Sequence, residues 1–139
     1  MNLKKSFLNL CENKEYEVNE NQISIVEKLS EYYNLNFNQS LIKKIFKDKN
    51  KKSGFYLVGD VGVGKTMILN FFFSSLKEKK YRLHFNEFMI KFHEFIFENK
   101  KKGKNHGLEK FVEKLSDKTQ ILYFDEFQVT NIVDAMILG

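Results

Sequence analysis

Proline and tryptophan are absent, and cysteine and arginine occur once each, as Cys11 and Arg82. A single cysteine can neither close an intramolecular disulfide nor build a cysteine-rich metal site, which fits a reducing compartment and points to the cytoplasm. No apolar run approaches the roughly 20 residues that span a bilayer. The longest, Met67 to Phe73 and Ile132 to Leu138, are each interrupted by a polar residue, so any membrane association is expected to be peripheral. The start, Met1 to Cys11, imitates an export signal, but its apolar stretch is too short and is broken by Asn9. With one arginine, the net charge of +5 rests almost entirely on lysine. Together with abundant Asn, Ile, Phe and Tyr, this reads as the coding bias of an AT-rich genome rather than a phosphate-seeking surface, and nucleic acid is not expected as a partner.

What the chain does have is apolar mass. A hydrophobic share of 42% and 15 phenylalanines in 139 residues argue against disorder and for one folded domain. Ile23, Val26, Leu29 and Tyr33 fall on one helical face, and Leu41, Ile42, Ile45 and Phe46 mark a second, shorter helix. These form an N-terminal lead-in, closed by the lysine-rich linker Lys47 to Ser53, so that residues 1–53 precede a catalytic-type segment, 54–139. In that segment Gly54 to Val58 reads as a short buried parallel strand, and Met67 to Leu76 as a helix packed deep against a sheet. Tyr81 to Phe85 is a second strand, and Asn86 caps a helix carrying Phe88, Met89, Phe92, Phe95 and Ile96. A loop from Asn99 to Gly107 leads to an amphipathic helix with Leu108, Phe111, Val112 and Leu115, then a third strand, Gln120 to Phe124. Asn131 caps a last helix through Leu138. Strands alternating with helical crossovers predict an α/β fold with a parallel sheet.

Two places carry chemistry. Gly59, Asp60, Val61, Gly62, Val63, Gly64, Lys65 and Thr66 fill every required position of a phosphate-binding loop, between an expected strand and an expected helix. Glycines allow main-chain N–H groups to converge on phosphate oxygens, the helix start favours an anion, Lys65 adds a positive charge, and Thr66 can ligate magnesium. The competing reading is a glycine-rich turn before a helix, which the flanking elements disfavour. The second place is Ile121 to Glu126, an apolar strand delivering Asp125 and Glu126 to its C-terminal end. Downstream of such a loop, Asp125 is expected in the magnesium shell. Glu126, pointing the other way along an extended chain, is expected to polarise the attacking water. His84 and His93 lack the spacing of a zinc site and are expected to be half-buried imidazoles, each with a hydrogen bond; His106 falls in a loop.

The run Asp125 to Leu138 resembles the signature of the ZapE cell-division ATPase family, which also has mitochondrial relatives. The segment His84-Phe85, Phe88-Met89 and His93 is similar to a second family motif, and Gln22 fits its N-terminal helix. Asn86, Asn131 and Val63 depart from residues usual in the family, and none of these departures removes an expected ATP ligand. The resemblance implies an AAA+-like P-loop NTPase of the additional-strand, catalytic-glutamate type, a three-layer sandwich around a parallel sheet. It implies ATP and Mg²⁺ as ligands and hydrolysis as the activity, with Lys65 and Glu126 in the catalytic machinery. It further implies a cytoplasmic protein with the tubulin-like division-ring protein as partner. The family's sensing strand, which inserts between the loop strand and the Asp125 strand, its arginine finger and its C-terminal helical part are expected to be missing from this sequence. Arg82, on the second strand, is not expected to replace the finger. Two other readings stay open: a nucleotide-binding module without turnover, and a helicase-loader-like protein that binds DNA.

Overall fold

The computed structural model describes residues 2–37, 54–59, 64–101 and 107–127. The expected helix at Leu41 to Phe46, the lysine-rich linker, His106 and the helix after Asn131 lie outside the described residues. The chain divides into two compact units, Met1–Leu76 and Lys77–Gly139.

In the first unit, helix α1 spans Leu3–Asn13 and α2 spans Glu20–Asn36. Each is capped by asparagine: the Asn2 side chain accepts from the Lys5 N–H at 3.1 Å and that of Asn19 from the Gln22 N–H at 2.9 Å, satisfying donors that a helix start leaves unpaired. Leu3, Phe7 and Cys11 recur every four residues and are buried on one face. The segment that imitates an export signal is therefore an amphipathic helix packed against α2, and burial pushes the Cys11 thiol pKa up. Val26 and Leu29 supply the facing residues of α2, as their spacing predicts. Helix α3, Lys65–Ser75, rests on both, with Ile68 and Phe72 buried and the Phe71 ring edge-on to Phe7 at 5.3 Å.

Gly54 to Gly59 does not form the expected strand. A strand exists only through its hydrogen-bonded neighbour, and no described segment pairs with this one. Tyr56 and Val58 are 69% and 72% exposed, whereas Phe55 turns its ring toward Tyr32 on α2 at 6.1 Å.

In the second unit, β1, Lys80–His84, pairs in parallel with β2, Ile121–Asp125, across a connection that contains α4, Phe85–Lys101, and α5, Gly107–Ser116. The described sheet has these two strands. Boundaries differ from the sequence expectation in four places. Strand β1 lies one residue earlier than the expected Tyr81 to Phe85. Helix α4 begins at Phe85, so Asn86 lies in its first turn instead of capping it. It runs on to Lys101, where the expected loop had begun at Asn99; Asn99 bonds back to the Phe95 carbonyl at 2.8 Å, and Lys100 and Lys101 suit a helix C-terminus. Strand β2 is shifted forward by one residue and ends on Asp125. Phe85, Met89 and Phe92 form the buried core, with Phe88, Ile96, Phe111 and Phe124 packed against it. Gly107 lets the start of α5 come close to α4, because a Cβ there would meet Ile96 Cδ1 at 2.5 Å.

Side chains alternate across a strand. Leu83 and Phe124 therefore share the face that meets the helices, while Arg82, His84, Tyr123 and Asp125 share the opposite one, with Arg82 in register with Tyr123 and His84 with Asp125.

Candidate functional site

Helix α3 starts in an unusual way. Its N-cap is Gly64, with φ of 77° and no side chain of its own to cap the first turn. The first turn contains no acid and begins with Lys65. A cation next to the positive end of a helix dipole is unfavourable alone, and both favour an anion. Gly64 is constrained twice over: φ lies in the left-handed region, and a Cβ would meet Gln22 Nε2 at 2.9 Å. Gln22 thus backs Gly64 from α2, and its Oε1 is buried without a hydrogen-bond partner. The Lys65 ammonium donates to the Gly59 carbonyl, joining the two ends of the eight-residue motif. Thr66 is exposed on the first turn. Asp60, Val61, Gly62 and Val63 lie outside the described residues.

At the C-terminal end of β2, Asp125 is not alone. Arg82 Nε donates to its Oδ2 at 2.6 Å, and the Tyr123 hydroxyl also hydrogen-bonds the carboxylate. The Arg82 guanidinium carbon lies 4.7 Å from the centroid of the Tyr123 ring. Desolvation raises the Asp125 pKa, but the hydrogen bonds from Arg82 and Tyr123 and the electrostatic influence of Arg82 and His84 outweigh it and hold the carboxyl below its ordinary value. The Tyr123 hydroxyl is pushed up to about 12, by burial first and then by the adjacent carboxylate. Asp125 is therefore ionised and oriented near neutrality.

Glu126 departs from the sequence expectation. Its φ is 50°, so the chain leaves the extended conformation at the strand end, and the alternation that was to point Glu126 away from Asp125 does not apply. The residue is exposed. His84 and His93 are exposed rather than half-buried, since one sits on the polar sheet face and the other on the outer side of α4, its ring beside Phe92 at 5.7 Å.

The expected site residues thus fall into two groups. Gly59, Gly64, Lys65 and Thr66 are gathered around the start of α3, and Asp125 and Glu126 are consecutive at the end of β2. Sequence reasoning missed Arg82 and Tyr123 as neighbours of Asp125; the available signal was the parallel register of two strands ending at His84 and Asp125. The donor set expected for a metal, a threonine hydroxyl and an ionised carboxylate, is all oxygen, which suits Mg²⁺.

Among the described residues, no helix is long and apolar enough to cross a membrane. A family model described as AFG1-like ATPase matches residues 1–139. The cell division protein ZapE of Escherichia coli is 42% identical over 87 residues, which cover 62% of this chain and 23% of that protein. Lactation elevated protein 1 homolog B of Danio rerio is 37% identical over 95 residues, covering 61% of this chain and 19% of the relative. The matched part of the chain spans less than a quarter of these curated relatives. No solved structure matches.

Proposed function

The chain belongs to the AFG1-like ATPase family, and on that premise we propose that it binds ATP with Mg²⁺ through Gly59 to Thr66 and hydrolyses it with the help of Asp125 and Glu126. Residues 54–139 are read as part of one ATPase domain, preceded by a helical lead-in, residues 1–53. The observation that carries the proposal is the start of α3, where a left-handed glycine caps a first turn that holds Lys65 and no acid.

In this reading the loop amides, including those of Asp60, Val61, Gly62 and Val63, hold the phosphate oxygens, and the Lys65 ammonium exchanges the Gly59 carbonyl for them. Thr66 and Asp125 are the residues that hold Mg²⁺, which when bound neutralises charge that develops on the phosphate oxygens. The Glu126 carboxylate orients a water and accepts its proton as the water oxygen bonds to the γ-phosphorus and the bond to the β-phosphate oxygen breaks. Similarity to a cell division protein makes division the process in which to seek the role of this chain, in the cytoplasm and with the division ring as the partner to test first.

Equilibrium binding of a fluorescent ATP analogue tests the loop. Lys65→Ala is expected to reduce affinity below detection while leaving the unfolding temperature near that of the wild type. Unchanged affinity would remove the assignment.

A further inference from the structure

Asp125 is already occupied in the state described. The guanidinium of Arg82 takes Oδ2 at 2.6 Å, a charge-assisted bond of the stronger kind, and the two groups are partly shielded, with side chains 37% and 19% exposed. Mg²⁺ needs its oxygen ligands in direct contact at about 2 Å. A guanidinium bonded to that oxygen and a divalent cation arriving at the same carboxylate repel each other, so both cannot hold it at full strength.

We propose that Arg82 is a positioning residue that parks the Asp125 carboxylate in the metal-free protein and yields it to the divalent cation that arrives with nucleotide. The proposal rests on the reading of Asp125 as a metal-binding residue. The structure also provides a place for the displaced group. The guanidinium carbon is 4.7 Å from the centroid of the Tyr123 ring, so on leaving the carboxylate Arg82 retains a cation–π contact and need not swing into solvent. Register makes this possible, because Arg82 is directly opposite Tyr123 and two residues short of the level of Asp125, on the same sheet face. The consequence is selectivity in timing. Free metal competes poorly with an arginine already in place, whereas metal that brings phosphate ligands with it gains enough extra contacts to displace the arginine.

Two measurements on the full chain test this. In the first, Mn²⁺ is titrated by electron paramagnetic resonance at saturating ADP, so that no turnover is needed. Arg82→Gln is expected to lower the Mn²⁺ concentration for half-saturation about 1.5- to fivefold, the range set by a partly exposed ion pair. Arg82→Lys keeps the charge and is expected to stay closer to the wild type, while Asp125→Asn should raise the half-saturation concentration. An Arg82→Gln value equal to or above that of the wild type, with Asp125→Asn still weakened, overturns the proposal and leaves the ATP reading standing. If Asp125→Asn does not change Mn²⁺ binding, Asp125 is not a metal ligand, and the reading beneath the proposal falls with it.

The second measurement needs no variant. Arg82 is the one arginine of the chain, so its Nε–H gives a single nitrogen-15 NMR signal. That signal should move toward the position of a solvent-exposed guanidinium when Mg²⁺ is added with ADP, and stay in place with ADP alone. A signal unmoved by Mg²⁺ and ADP contradicts the exchange, even if the substituted chains fail to fold.

Discussion

Glu126 leaves β2 with φ of 50°, a conformation that costs a non-glycine residue about 1–2 kcal/mol. Strain of this kind at the residue expected to handle the attacking water agrees with a position fixed by its surroundings rather than by local preference. The residue therefore separates chemistry from stability. Glu126→Gln is expected to bind nucleotide as the wild type does and to slow phosphate release by about a hundred- to ten-thousand-fold, while Glu126→Gly should resist urea better than Glu126→Ala by roughly 1 kcal/mol. Equal stability of the glycine and alanine variants would show that the left-handed turn is not maintained. The candidate residues are legible in the sequence because Gly59 to Thr66 and Asp125-Glu126 are each contiguous, and their proposed roles follow from the chemistry that a phosphate ligand asks for. Arg82 was not legible. Its partner is 43 positions away, and only the register of two parallel strands brings the two together.

At the scale of elements, periodicity served helices well and strands less well. Val26 and Leu29 on α2, and Met89 and Phe92 on α4, are buried as their spacing predicts, since a helix satisfies its own backbone and its apolar stripe can be read from the segment alone. Helix α1 is masked in the sequence because Leu3, Phe7 and Cys11 lie within a stretch that imitates an export signal, although their four-residue spacing is helical. Gly54 to Val58 has the composition of a buried strand, but its hydrogen bonds must come from another segment, and composition cannot supply that partner. The hairpin of α4 and α5 depends on Phe111, which meets Phe88, Phe92 and Phe95 at 5.6, 5.2 and 5.4 Å between ring centroids. Such ring contacts, two of them edge-on and that of Phe95 tilted, each add about 0.5–1.5 kcal/mol beyond burial. Phe111→Ala should therefore lower unfolding stability by about 2–4 kcal/mol, as measured by chemical denaturation. A loss under about 0.5 kcal/mol, the range of an ordinary surface substitution, would mean that α5 is not seated on α4.

For the whole molecule, the match of the family model over residues 1–139 and the chemistry at the start of α3 and at the end of β2 lead to the same reading. Its surface charge acts differently from its site. A net charge of +5 carried mostly by lysine attracts any polyanion diffusely, and physiological salt screens that attraction beyond about 8 Å, whereas main-chain donors in direct contact with a phosphate, as proposed for this chain, are screened much less. The decisive experiment is isothermal titration calorimetry of ATP into the folded chain at physiological salt, with Mg²⁺ and again with the metal chelated. The account predicts saturable heat at one site per chain, with affinity weakened when Mg²⁺ is removed. A folded chain that gives no saturable heat with ATP and Mg²⁺ would contradict it.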